Sequence, residues 1–211
     1  MISYILLVVS IVIVLISWFL LLVDNIRNNN KRIDNVSGFD VAKEITSSYD
    51  LINIVRANGI MFSEYDINRN VIRLNNKNYD GNSYNDLINA SILAGFSLVN
   101  KDNDKYFKFN FLFKKIRSTN IVSFIMLVVS YFVVNIGDAK LGLVLFFGLL
   151  IYQYMRYQIM VFGNSFISSN LDNDIYDEIQ HSLVRYVNFY KLSFIAGLIM
   201  VLRLIVIIMG I

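Results

Sequence analysis

The stretch Met1-Ile-Ser-Tyr-Ile-Leu-Leu-Val-Val-Ser-Ile-Val-Ile-Val-Leu-Ile-Ser-Trp-Phe-Leu-Leu-Leu-Val23 decides the fold. As a helix rising about 1.5 Å per residue it is long enough to cross roughly 30 Å of hydrocarbon. A cleaved signal peptide would want a basic start, a shorter apolar core and a small-residue cleavage site. No Lys or Arg precedes this run, and Trp18 and Phe19 stand near its end. The expectation is an uncleaved membrane anchor over residues 1–23.

Three further apolar runs lie outward from it. Ile121–Ile136 and Leu141–Met160 are separated only by Gly137-Asp138-Ala139-Lys140, and Leu192–Ile211 comes last. A short polar link between two such runs predicts an antiparallel hairpin of spans at 121–160, because backbone cannot turn unsatisfied inside lipid. Of the 211 residues, 56% are hydrophobic and 17% charged, too apolar for an ordinary soluble domain. The expected fold is a mainly α membrane protein of four transmembrane helices, with a small α+β unit at 24–120 between the first and second. A helical segment at 161–191 then leads to the last span at 192–211.

Lys and Arg near the spans set the orientation. Arg27, Lys31, Arg32, Lys114, Lys115, Arg117, Arg156, Arg185 and Lys191 flank the spans on one side, and Lys140 alone stands on the other. The soluble unit is therefore expected in the cytoplasm of a multi-pass cell-membrane protein, with both termini outside. Cysteine and proline are absent and the net charge is +3. That charge is too weak and scattered to argue for nucleic acid.

Inside the soluble unit, Gly38–Ile45 reads as a short helix with an acidic first turn. Ile52–Ile60 suits a strand running into a turn, Tyr65–Asn68 a turn, and Asn70–Leu74 a second strand rich in β-branched residues. Tyr84–Val99 is apolar on most faces, which predicts a buried helix. Lys105–Lys115 interleaves aromatics with lysines and suits the headgroup layer.

The order of these elements resembles that of the bacterial multi-pass neutral zinc metallopeptidases with an HEVGH-type active helix. The most specific pieces are Gly38-Phe-Asp-Val-Ala-Lys43, Tyr65-Asp66 and Val71-Ile-Arg-Leu74; Tyr79, Gly81 and Ser83 match the family's Asn-Tyr-His-Gly-x-Ser stretch. The family's Ala-Ala-His-Glu-Val-Gly-His then falls on Ala90–Phe96. The resemblance implies two zinc-binding histidines on one helical face and a glutamate acting on metal-bound water. Ile92 and Phe96 stand at the histidine positions and Leu93 at the glutamate position. The third ligand, a glutamate after the third span, is matched by Val161. The chain has a single histidine, His181, so no other register restores a pair. The expectation is an inactive scaffold with no cofactor and no metal. Its expected partners are the lipid bilayer and another membrane protein, an active paralogue or a second copy. The alternatives are an active but divergent membrane metallopeptidase and a small transport or channel subunit.

Three smaller candidates remain. His181 and Glu178 have the spacing of a metal pair, although a lone His on a solvated helix face is the plainer reading. Asp172, Asp174, Asp177 and Glu178 lack the regular ligand pattern of a calcium loop and suit an acidic helix start. Arg203, a strong charge inside a span, is expected to meet Asp138 in the outer hairpin link.

Overall fold

The computed structural model describes residues 2–49, 52–59, 63–102 and 139–210. The elements are α1 (Ile2–Asn29), α2 (Gly38–Thr46), β1 (Asn53–Arg56), β2 (Glu64–Asp66), a 3-10 turn (Ile67–Arg69), β3 (Val71–Leu74), α3 (Asn76–Asp80), α4 (Tyr84–Asp102), α5 (Ala139–Asn170) and α6 (Asn173–Met209). The described residues fall into two compact units: 2–21, 139–157 and 188–210 in the first, and 22–49, 52–59, 63–102 and 158–187 in the second.

In the first unit, Phe146 and Leu150 of α5 pack with Met200, Val201 and Leu204 of α6, and Leu7 of α1 adds to the cluster. Ser10 donates its hydroxyl to the Ala196 carbonyl at 3.1 Å. Arg156, fully buried, donates to the Tyr190 hydroxyl at 3.0 Å. Among the described residues, α1 and α6 are helices long and apolar enough to cross a bilayer. They hold the first and last of the four expected spans. The second, Ile121–Ile136, lies outside the described residues. The third forms the first part of α5, which is not among the two spanning candidates. Its apolar run is broken by Gln153, Arg156 and Gln158. The structure thus supports two spans of the four.

α5 and α6 also run well past their apolar stretches. The 161–191 segment consists of the end of α5, a turn at Leu171–Asp172 and the start of α6.

The second unit is built around α4. Leu87, Ile88, Ala90, Ile92, Leu93, Ala94, Phe96, Leu98 and Val99 are all at most 1% exposed, so this helix is covered on nearly every side, as its lack of a polar stripe predicts. α2 packs on it through Val41, Ala42 and Ile45. Ser37 starts α2 with a capping box: its hydroxyl accepts from the Asp40 amide, and the Asp40 carboxylate accepts from the Ser37 amide. Two otherwise unpaired amides of the first turn are thereby satisfied.

The sheet has the order β1-β3-β2, with β1 parallel and β2 antiparallel to the central β3. Ile72 and Leu74 of β3 are buried while Val71 and Arg73 are not, the period-2 alternation of a one-sided sheet. β2 corrects the sequence reading. Tyr65 and Asp66 belong to a strand, and the turn is the 3-10 segment after it. Arg73 holds this strand from across the ladder, 3.5 Å from Glu64 and 3.2 Å from Asp66.

Candidate functional site

The residues on which the resemblance to the metallopeptidases was read are joined by packing. A Cβ on Gly38 would collide with the Asn78 carbonyl, and the Gly38 amide donates to the Gly81 carbonyl at 3.0 Å. Only a residue without a side chain allows that approach. Gly81 is confined likewise by the Lys77 carbonyl and the Asp86 carboxylate. Ser83, just before α4, donates to Asp86 at 2.5 Å and accepts from the Asp86 amide. Tyr79 stacks on Phe39 with ring centroids 4.8 Å apart. Every one of these positions fixes how α2 and α3 meet the start of α4. Each therefore has a packing role of its own.

On α4, Ile92, Leu93 and Phe96 are at most 1% exposed. Ile92 and Phe96, four residues apart, share a helical face. None of the three offers a lone pair to a metal or a base to a water. α5 meets α4 at Gly95, between Leu93 and Phe96. A Cβ on Gly95 would lie 2.8 Å from the Gly163 carbonyl oxygen. Val161 on α5 is half-buried, and Gly163 is displaced from it by about 200° round the helix. The residue facing Gly95 is therefore Gly163 rather than Val161.

The other candidates are separately occupied. The His181 Nε2 lies 2.9 Å from Arg185 Nη2, whereas Glu178 accepts from the Tyr84 hydroxyl. The two side chains thus have different partners, and the alternative of a His181–Glu178 metal pair is not assembled. The Asp172 carboxylate accepts from the Asp174 amide at 2.8 Å and the Asp172 amide donates to Glu44 at 2.8 Å, so this acidic stretch starts α6. Among the described residues no group of three or more His, Cys, Asp or Glu side chains could hold a metal ion. Arg203, 3% exposed, donates its Nε–H to the Ser3 carbonyl at 3.2 Å and lies 3.3 Å from the Ser3 hydroxyl. Its expected partner Asp138 lies outside the described residues, as does Lys105–Lys115.

Two polar clusters escaped the sequence reading. Asp24 of α1, 3% exposed, pairs with Arg185 of α6. Asn28 bridges them to α6 again, donating to Asp24 at 3.1 Å and to Ser182 at 2.7 Å. A seven-residue recurrence in α1, Ser3, Ser10, Ser17 and Asp24, was the available signal, since a spacing of seven keeps to one helical face. The second cluster links Asn100 to the Tyr65 hydroxyl at 3.2 Å and that hydroxyl to Asn70 at 3.0 Å. Burial pushes the Tyr65 hydroxyl pKa up, the Asn100 contact opposing and Asp66 reinforcing the shift. The Tyr84 hydroxyl is pushed up to about 12, first by its hydrogen bond to Glu178 and then by burial and that carboxylate's charge.

A family model described as "Putative neutral zinc metallopeptidase" matches residues 2–157. The match includes the whole of α4 and ends before Val161. No curated protein and no solved structure matches the chain. With a match extending from α1 through the first part of α5, the chain belongs to the neutral zinc metallopeptidase family.

Proposed function

We propose that this chain is a metallopeptidase scaffold without its metal, a multi-pass membrane protein that acts by binding other membrane proteins. The observation that carries the reading is the burial of Ile92, Leu93 and Phe96 on the helix where the family's active motif falls. A zinc site needs ligands with lone pairs and an open coordination position for water. Three large apolar side chains exclude both, and each stabilises the helix's packing by about 1.5–3 kcal/mol through burial. The glycines and caps around them are the parts of the family pattern that hold the scaffold, and these are kept. Loss of the chemistry with retention of the scaffold supports a binding role, although the partner is set by surfaces rather than by fold.

The reading extends to a cytoplasmic soluble unit, by the distribution of Lys and Arg. Photo-crosslinking of the full-length chain in its native membrane tests the binding role. A discrete adduct with one membrane protein, an active paralogue or a second copy, is the expected result. Adducts with lipid alone would remove the binding role.

A further inference from the structure

A cleft of about 390 Å³ opens in the second unit, lined by Asn29, Arg32, Lys77, Asn82, Ser83 and Asp86, with Gly81 at its wall. Its frame is backbone. The Ile33 amide donates to the Asn82 carbonyl at 3.1 Å and the Tyr84 amide to the Lys31 carbonyl at 3.0 Å, around the bridge between Arg32 and Ser83. Paired main chain thus holds together the two segments that flank the cleft.

The charges in the cleft are not balanced by one another. The Asp86 carboxylate is 4% exposed and takes the Ser83 hydroxyl at 2.5 Å as part of the α4 cap. Arg32 and Lys77 are exposed. Lys77 Nζ donates to the Asn29 side-chain carbonyl at 3.2 Å, a neutral acceptor. Arg32 has no ion-pair partner among the described residues. Two cations, two amides and a glycine wall are a suitable donor set for an oxyanion.

We infer that this cleft binds a phosphate group, expected from an anionic lipid headgroup. The level of the cleft carries the choice of source. Asn29 is the last residue of α1 and stands six residues beyond the apolar run that ends at Val23, about 9 Å along a helix axis. The headgroup layer extends roughly 5–8 Å beyond the hydrocarbon on each side. With α1 crossing the bilayer, Asn29 stands at the outer border of that layer, where the long side chains of Arg32 and Lys77 are of a length to reach lipid phosphates. The inference is independent of whether α4 holds a metal.

The test is native mass spectrometry of the full-length chain in dodecyl maltoside, titrated separately with phosphatidylglycerol, diacylglycerol and inorganic phosphate. Arg32→Gln/Lys77→Gln is compared with Lys43→Gln/Arg69→Gln, a pair of exposed cations of the same unit that do not line the cleft. The cleft variant is expected to bind phosphatidylglycerol about tenfold more weakly, the loss of two charge-assisted contacts, and the control variant to change less than about twofold. Lys77→Gln alone gives a smaller loss and guards against misfolding of the double variant. If inorganic phosphate binds with the same variant dependence and phosphatidylglycerol does not, the phosphate site stands and its source is soluble. Equal losses in cleft and control variants, or diacylglycerol bound as tightly as phosphatidylglycerol, would overturn the assignment.

Discussion

Gly95 of α4 and Gly163 of α5 meet backbone to backbone, and the contact is lopsided. A Cβ on Gly95 would sit 2.8 Å from the Gly163 carbonyl oxygen, whereas a Cβ on Gly163 would find its nearest neighbour, the Gly95 carbonyl carbon, at 3.5 Å. The first is too close for real atoms and involves backbone that cannot swing aside. The second is ordinary van der Waals contact.

Gly95→Ala should therefore destabilise the protein by roughly 1–3 kcal/mol through overpacking. Gly163→Ala should be neutral or stabilising by up to about 1 kcal/mol, since alanine is the better helix former. Thermal unfolding of both variants in detergent checks the pair. Equal effects would mean that the helices do not meet as described.

Restoring the family's polar chemistry one residue at a time should damage the fold. Leu93 is 0% exposed, so Leu93→Glu buries a carboxyl group among apolar side chains. The cost should be about 3 kcal/mol or more, whereas Leu93→Met should lose less than about 1.5 kcal/mol. Chemical denaturation of the two variants measures the difference. A Leu93→Glu protein as stable as Leu93→Met would imply a wet pocket at this position.

The Asp24–Arg185 pair is asymmetric in the same way as the glycines. The Asp24 side chain is 4% exposed and that of Arg185 29%. Arg185→Met leaves a buried carboxylate with Asn28 as its remaining hydrogen-bond donor, and should cost roughly 2–4 kcal/mol. Asp24→Asn leaves a guanidinium that reaches water, and should cost about 1 kcal/mol. Unfolding midpoints at low and high salt would reverse this order if the pair were solvent-exposed.

Tyr84 gives the stability a specific alkaline limit. Its pKa rises from 10.0 to about 12, chiefly because Glu178 accepts its hydroxyl proton. A folded-state pKa above the unfolded one means that the contribution is complete below pH 10 and is lost as pH climbs towards 12. Tyr84→Phe should flatten the fall of stability in that window. Parallel pH–stability curves for the two proteins would contradict the hydrogen bond.

Much of the second unit was legible in the sequence. α4 showed itself because Leu87 to Val99 has no polar stripe, and β3 because Val71 and Ile72 are β-branched. β2 was hidden by its shortness and its acids. Glu64 and Asp66 look like turn chemistry until Arg73 is found opposite them. The lengths of α5 and α6 were hidden for another reason. Apolarity marks where a helix meets lipid or core, not where the helix ends, and both continue through Ser- and Asp-rich sequence.

The sequence offered the candidate site as four positions, Ile92, Leu93, Phe96 and Val161, and the structure buries the first three on α4. Pairing across helices was not legible. Asp24 meets Arg185 and Asn28 meets Ser182 across more than 150 residues of chain, and no local pattern encodes such a partner.

Zinc content is the most direct measure of the central claim. The full-length chain, purified in detergent from cells grown with added zinc, should carry no stoichiometric zinc by inductively coupled plasma mass spectrometry. Added zinc should not raise its unfolding temperature, because a ligand stabilises only by binding the folded state and no group of three or more His, Cys, Asp or Glu among the described residues could hold the metal. One zinc per chain retained through gel filtration, with a rise in unfolding temperature on zinc addition, would contradict the account.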